Sequence, residues 1–288
     1  MLLLARPLLR PASSPSFRAL STSSPLVTVS DLGDGIRHVL LNNPAKHNSL
    51  SMPMFDAICT AASDLSEDRA VRAVVLSGAG KSFCTGLDVK GVASNPSNMS
   101  RLLRRGAGTA VTNVAQDVGY LWRTCPFPTI AAVHGKCFGG GLQIAMGCDL
   151  RFSSPGCEWS ILEAKWGLIP DMSATVTFRE HMRMDDLKEL AMTGRVIGAE
   201  EARGKGLVTR VVEDPLEEAV KVAREIAARS PDSVALTKKL FQDAWVMGDK
   251  EALQLETDLQ KSILPSKNQA IAVGKNFGVD VGFFQRSV

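Results

Sequence analysis

The stretch Cys137-Phe-Gly-Gly-Gly-Leu-Gln143 constrains the fold more than any other part of this chain. An apolar run, Pro128-Thr-Ile-Ala-Ala-Val133, precedes it, and a helical pattern, Leu142-Gln-Ile-Ala-Met146, follows. Three glycines between a strand and a helix leave backbone N–H groups uncovered. Such a junction suits an oxygen that becomes negative during a reaction. Glycine runs also make plain tight turns, so the junction taken alone leaves both readings open.

The same strand-to-helix change recurs along the chain. Residues 26–30 and 36–41 flank Gly33-Asp-Gly35, a hairpin signal. Residues 52 to about 65 carry a helical pattern, and 73–77 read as a buried strand. Further strand-like runs lie at 129–133, 149–153 and 207–212. Strands alternating with helices predict an α/β fold. After Pro215 the pattern is wholly helical, over 216–229, 233–247 and 251–263. No Pro/Ser/Gly-rich linker separates the halves, so these helices are expected to pack on the core or on a neighbouring subunit. Residues 94–108 are the least regular interior stretch. Their Arg101, Arg104 and Arg105 form either a solvated helix face or a basic patch.

Residues 1–30 carry Arg6, Arg10 and Arg18, many Ser and Leu, and no acid. That composition predicts a mitochondrial transit peptide over residues 1–25 and a matrix location. The alternative is a tail with no addressing role. A secretory signal fits less well, because Arg6-Pro7 interrupts the short apolar Leu2-Leu-Leu-Ala5. Three of the 33 basic residues fall in this segment, leaving 30 against 30 acids. The remainder is near neutral, so nothing in its charge attracts nucleic acid or a membrane surface. No apolar run has the length of a membrane span. Six cysteines (Cys59, Cys84, Cys125, Cys137, Cys148, Cys157) lack C-x-x-C spacing and read as free thiols in a reducing compartment. The four histidines lack metal-ligand spacing, so no metal is expected. His134, beside a strand end, reads as structural.

Three more segments agree with the glycine junction. Gly78-Ala-Gly-Lys-Ser-Phe-Cys-Thr-Gly-Leu-Asp-Val89 follows the buried strand at 73–77, and Ile130-Ala-Ala-Val-His-Gly135 precedes the triple glycine. Ser160-Ile-Leu-Glu-Ala-Lys-Trp-Gly-Leu-Ile-Pro-Asp171 puts two carboxylates on either side of a turn. In order and spacing these, with Asn42-Asn-Pro-Ala-Lys-His-Asn-Ser-Leu50, closely resemble the crotonase superfamily, also called the enoyl-CoA hydratase/isomerase family. The resemblance runs from about Leu26 to the C-terminus. It implies a crotonase-type spiral of ββα units with a C-terminal helical region, here a core over 26–214 and helices over 215–288. It also implies an acyl-CoA thioester substrate, no cofactor beyond the CoA of that substrate, and assembly as a homotrimer or homohexamer.

By the same resemblance, the N–H groups of Leu87 and Gly140 hold the thioester oxygen of an enolate. One such donor is worth about 3–4 kcal/mol of barrier. Gly86 and Gly139 let the substrate approach closely. Hydratases of the family carry two glutamates. This chain keeps the second as Glu163 but has Gln143 at the first, and an amide orients water without shuttling a proton. Asp171 stands where the family's dienoyl-CoA isomerases have aspartate. Glu163 and Asp171 are therefore expected to move a 3,5-diene to a 2,4-diene, with Glu163 nearer the thioester. The departure is that those isomerases also carry an acid at the position of Gln143. Asp171 also reads as a helix N-cap, and Glu163 as the partner of Lys165 in a surface ion pair. Trp166 and Phe138 are expected to line the core or the acyl pocket. Lys46 and Asp88 are expected on the CoA side of the site, and Lys275 and Phe277 closing over CoA. The competing readings are a hydratase that tolerates Gln143, a one-carboxylate 3-enoyl to 2-enoyl isomerase, and a catalytically weak acyl-CoA- or RNA-binding member of the fold.

Overall fold

The computed structural model describes residues 18–19, 25–105 and 111–288. Apart from residues 18, 19 and 25, the expected leader lies outside the described residues, as do residues 106–110 of the irregular stretch.

The strands are β1 (Arg18–Ala19), β2 (Val27–Asp31), β3 (Ile36–Leu41), β4 (Ala73–Gly78), β5 (Thr129–Val133), β6 (Lys136–Phe138), β7 (Leu150–Ser153), β8 (Glu158–Ser160), β9 (Ile197–Gly198) and β10 (Arg210–Val211). The larger sheet has the order β1-β2-β3-β4-β5-β7-β10, antiparallel through β3 and parallel from β3 to β10. The smaller sheet has the order β6-β8-β9. The hairpin at 33–35 turns through three successive residues with positive φ, Gly33, Asp34 and Gly35.

The helices are α1 (Met52–Glu67), α2 (Val89–Ala93), α3 (Pro96–Leu103), α4 (Val114–Thr124), α5 (Gly140–Met146), α6 (Ala174–Thr177), α7 (Met184–Thr193), α8 (Ala199–Gly204), α9 (Pro215–Ala227), α10 (Pro231–Ala244), α11 (Asp249–Ile263) and α12 (Lys267–Asn276). The stretch read as irregular therefore holds a helix, α3. Asn95 caps it by accepting the Ser97 N–H, Pro96 opens its first turn, and Leu102 is buried beneath it. Arg101 is tied to Asp56 of α1. One apolar anchor in eight residues is too little periodicity to announce a helix.

Both faces of the larger sheet are covered, which explains why its central strands read as unbroken apolar runs. Val39, Leu41, Val74, Leu76, Ala131 and Val133 point to one face, against α1, α4 and α5. Ile36, Ala73, Val75, Ile130 and Ala132 point to the other, against Ala219, Val222, Ala223 and Ala227 of α9. The helical region after Pro215 is thus anchored on the sheet by its first helix, while α11 has no buried residue.

Two strands of the larger sheet hand on directly to strands of the smaller layer. β5 leads to β6 and then α5; β7 leads to β8 and then the turn at 163–166. β5 is parallel to β7 and β6 to β8, so the chain climbs as a spiral. β4 leads to a shorter version of the same unit, in which Cys84 bridges Cys137 of β6. The thiols of Cys84, Cys125, Cys137, Cys148 and Cys157 are buried in this stack, and that of Cys59 is half-buried.

Candidate active site

Two turns of the spiral end side by side. The segment after β4 runs along β6, with the Cys84 N–H donating to Lys136 O and the Phe138 N–H to Cys84 O. This places Gly86 against Phe138–Gly140. A Cβ on Gly86 would sit 2.9 Å from Phe138 O and 3.1 Å from Gly140 N, and its φ is +84°. Any larger residue there would push the two strands of backbone apart. Leu87 is held between two backbone bonds, Leu50 N to Gly86 O at 2.8 Å and Asp88 N to Leu50 O at 3.0 Å. Both bonds are made by its neighbours, so its own N–H points away from Leu50. Gly140 is the first residue of α5, and no side chain caps that helix. Neither the Leu87 nor the Gly140 N–H has a partner among the described residues, which leaves two free donors, that of Gly140 at the start of α5.

The triple glycine has a spatial reason at each position. Gly139 has φ +52°, and a Cβ there would meet Glu163 Oε1 at 3.3 Å. A Cβ on Gly140 would meet Met172 Sδ at 2.7 Å, and one on Gly141 would meet Cys84 O at 2.4 Å.

Glu163 opens the 3-10 turn Glu163–Trp166, three residues past β8. The Gly139 N–H donates to Ser160 O at 2.9 Å, which fixes that turn beside the glycines. Glu163 is 9% exposed and has no ion pair with Lys165 or any other described residue. Its Oε1 accepts the Gln143 side-chain N–H at 2.6 Å, while Oε2 is buried without a partner. Burial pushes its carboxyl above the usual glutamate range, opposed by hydrogen bonds from the backbone and from Gln143. The nearby Asp171 charge pushes it the same way as burial. Asp171 still reaches solvent, yet the protein around it pushes its carboxyl up as well. It caps no helix: the cap of α6 is Ser173, in the left-handed region at φ +73°.

The remaining expected residues fall in two places. Lys46 and Asp88 meet at 3.2 Å, and Asp88 also caps α2 through the Gly91 N–H, which together hold its carboxyl low. Lys275 faces Asp280 at 3.5 Å and lines a separate cavity of about 820 Å³ between α10, α12 and residues 146–150, which Glu163 does not line. Phe277 is 83% exposed. Trp166 is exposed rather than in the core, beside exposed Leu168 and Ile169, which form an apolar rim next to the two carboxyls. His134 bonds Gly80 O at 2.9 Å, a structural contact.

Sequence reasoning passed over two residues. Met172 donates its N–H to Gln143 Oε1 at 2.8 Å. Asn48, fully buried, donates to Ala79 O, Ser82 O and Phe83 O and accepts the Asn43 N–H. It holds the loop that carries Gly86 and Leu87. Its φ is +55°, a region that asparagine tolerates better than most residues.

Two free N–H donors near a buried carboxylate are what enolate chemistry on a thioester needs, and comparison with known proteins agrees. A model of the enoyl-CoA hydratase/isomerase family matches residues 31–274. The chain belongs to that family. Its fold is the crotonase fold: an enoyl-CoA hydratase from Bacillus anthracis superposes with a TM-score of 0.81 at 25% identity, over 90% of this chain and 99% of that one. The mitochondrial Delta(3,5)-Delta(2,4)-dienoyl-CoA isomerase of Homo sapiens is 34% identical over 215 residues, 70% of this chain and 64% of that protein. The match thus spans less than two thirds of that relative's length. An enoyl-CoA hydratase of Mycobacterium tuberculosis is 30% identical over 223 residues, 77% of this chain and 82% of that protein. Among the described residues no three His, Cys, Asp or Glu side chains converge on a metal site, and no helix is long and apolar enough to cross a membrane.

Proposed function

We propose that this protein is an acyl-CoA isomerase that converts 3,5-dienoyl-CoA to 2,4-dienoyl-CoA. One observation carries the reading: a buried Glu163 with a free Oε2 lies close enough to Asp171 to feel its charge, beside the unpaired Leu87 and Gly140 donors, and burial raises both carboxyls. Glu163 takes a proton from C2, and the thioester oxygen, now enolate, is held by the two N–H groups. The electrons reach the far end of the diene, and C6 receives a proton from Asp171. Proton count is unchanged and no water is added. Raised carboxyls suit this exchange, because each must gain and lose a proton near the working pH. The likeness to a dienoyl-CoA isomerase supports the same reading.

CoA itself is then the sole non-protein group needed, with Lys46 on its phosphate side. The basic, acid-free leader and the relatives named mitochondrial support a mitochondrial matrix location. Exposed Phe241, Trp245 and Leu253 on α10, its C-terminal end and α11 support assembly into a homotrimer or homohexamer, with these faces against a neighbouring subunit.

The test is turnover of the purified chain on 3,5-dienoyl-CoA and on 2-enoyl-CoA, followed by ultraviolet absorbance. The reading requires 2,4-diene product that Glu163→Gln abolishes and Asp171→Asn lowers at least a hundredfold. Loss of 2-enoyl absorbance without a diene shift makes the chain a hydratase.

A further inference from the structure

We infer that Gln143 is a positioning residue that makes Oε2 of Glu163 the proton-accepting atom and ties that carboxyl to the Asp171 segment. The inference rests on the proton-transfer reading above and deepens it.

The argument starts from a backbone group. The Met172 N–H can only donate, so the Gln143 atom 2.8 Å from it must be the amide oxygen. That fixes the amide's orientation and turns its NH2 toward Glu163 Oε1, at 2.6 Å. Gln143 is fully buried, so no water competes for either contact. Oε1 is thereby occupied by a donor, and Oε2, buried and unpartnered, is left as the basic atom. An amide does not titrate, so the clamp is the same at every working pH. It also stabilises the ionised form of Glu163 against its burial.

The clamp reaches further than one carboxyl. Met172 is the residue after Asp171, and its sulfur lies over Gly140. One side chain therefore joins the base, the second carboxyl's segment and the helix N-terminus that supplies a free donor. Other charges around the turn are committed elsewhere. On α7, which packs behind it, Asp185 pairs with Arg183, Asp186 with Lys205 and Glu189 with Arg195. Lys188 of α7 and Lys165 of the turn form no ion pair with Glu163 among the described residues, whereas the Asp171 charge raises its carboxyl.

The experiment compares the full chain with Gln143→Leu, which removes the donor, and Gln143→Glu, which keeps the shape and adds a charge. Two readouts are taken: the pH dependence of kcat on 3,5-dienoyl-CoA, and the ¹³C titration of the Glu163 carboxyl, assigned with Glu163→Gln. Both variants should move Glu163 ionisation to higher pH, Glu more than Leu, so that kcat at the acid end falls about tenfold further than at the alkaline end. A purely structural role lowers kcat at all pH values without that ordering. Unchanged Glu163 titration in cooperatively folded Gln143→Glu overturns the inference. If the wild type does not turn over the diene, the isomerase reading fails, while the carboxyl titration still decides the clamp.

Discussion

At the scale of single residues, Glu163 trades stability for chemistry. Its folded carboxyl is raised by burial above its unfolded value, so the folded state holds its proton more tightly than the unfolded state does. The stability that this contributes is complete below the unfolded pKa and is lost as pH rises through the folded one. Glu163→Gln, which has no charge to bury, should therefore match the wild type in acid and become more stable at neutral pH, by on the order of 1 kcal/mol. Urea unfolding at two pH values measures this; equal differences at both would mean that the carboxyl is not strained by burial. Asn48 shows the opposite economy. It serves no proton transfer, yet its buried amide fixes the loop that aims the Leu87 N–H.

At the scale of elements, tight packing on the second face of the sheet has a measurable consequence. Ala219, Val222, Ala223 and Ala227 of α9 are small because the helix lies directly on β4 and β5. Ala223→Leu should cost about 1–3 kcal/mol by overpacking, seen as a lower denaturant midpoint with unchanged slope. These same elements show what the sequence makes legible. Strands buried on two faces and helices of four turns announce themselves, and β3 and β5 begin and end where the apolar pattern at 36–41 and 129–133 does. The glycine junction marks its helix N-terminus because Gly139 has a positive φ, and a Cβ would crowd Met172 and Leu50 at Gly140 and the Cys84 backbone at Gly141. Contacts made by backbone atoms across distant segments leave no pattern in the sequence. The Met172–Gln143 bond is one. The cap of α6 falls on Ser173 instead of Asp171 through a local left-handed backbone turn, which a serine does not announce. The strand expected over 207–212 shrank to Arg210–Val211, because it pairs only at the sheet's edge.

At the scale of the whole molecule, the C-terminal segment closes back on the core. Arg286, 4% exposed, donates to Pro126 O and Ser66 O and lies over the Phe127 ring. Asp232 of α10 accepts from the Ser287 N–H and from Asn268 of α12, whose own side chain accepts the Phe284 N–H. Arg286→Ala should remove the guanidinium from the half-buried Pro126 and Ser66 carbonyls, lower the melting temperature by several degrees, and expose the residues after α12 to protease. A protease pattern like that of the wild type would show the strap to be dispensable. The buried thiols carry a separate consequence for the intact fold. Burial raises all six, with Cys59, Cys84, Cys148 and Cys157 pushed up to about 12, so the thiolate needed for alkylation is scarce at neutral pH. The five fully buried ones run from Cys84 to Cys157, so each of these reacts only when its own stretch of the spiral opens, while half-buried Cys59 is the most accessible. The chain thus carries its own set of timers, and alkylation rates read at each cysteine would rank its layers by how often they come apart.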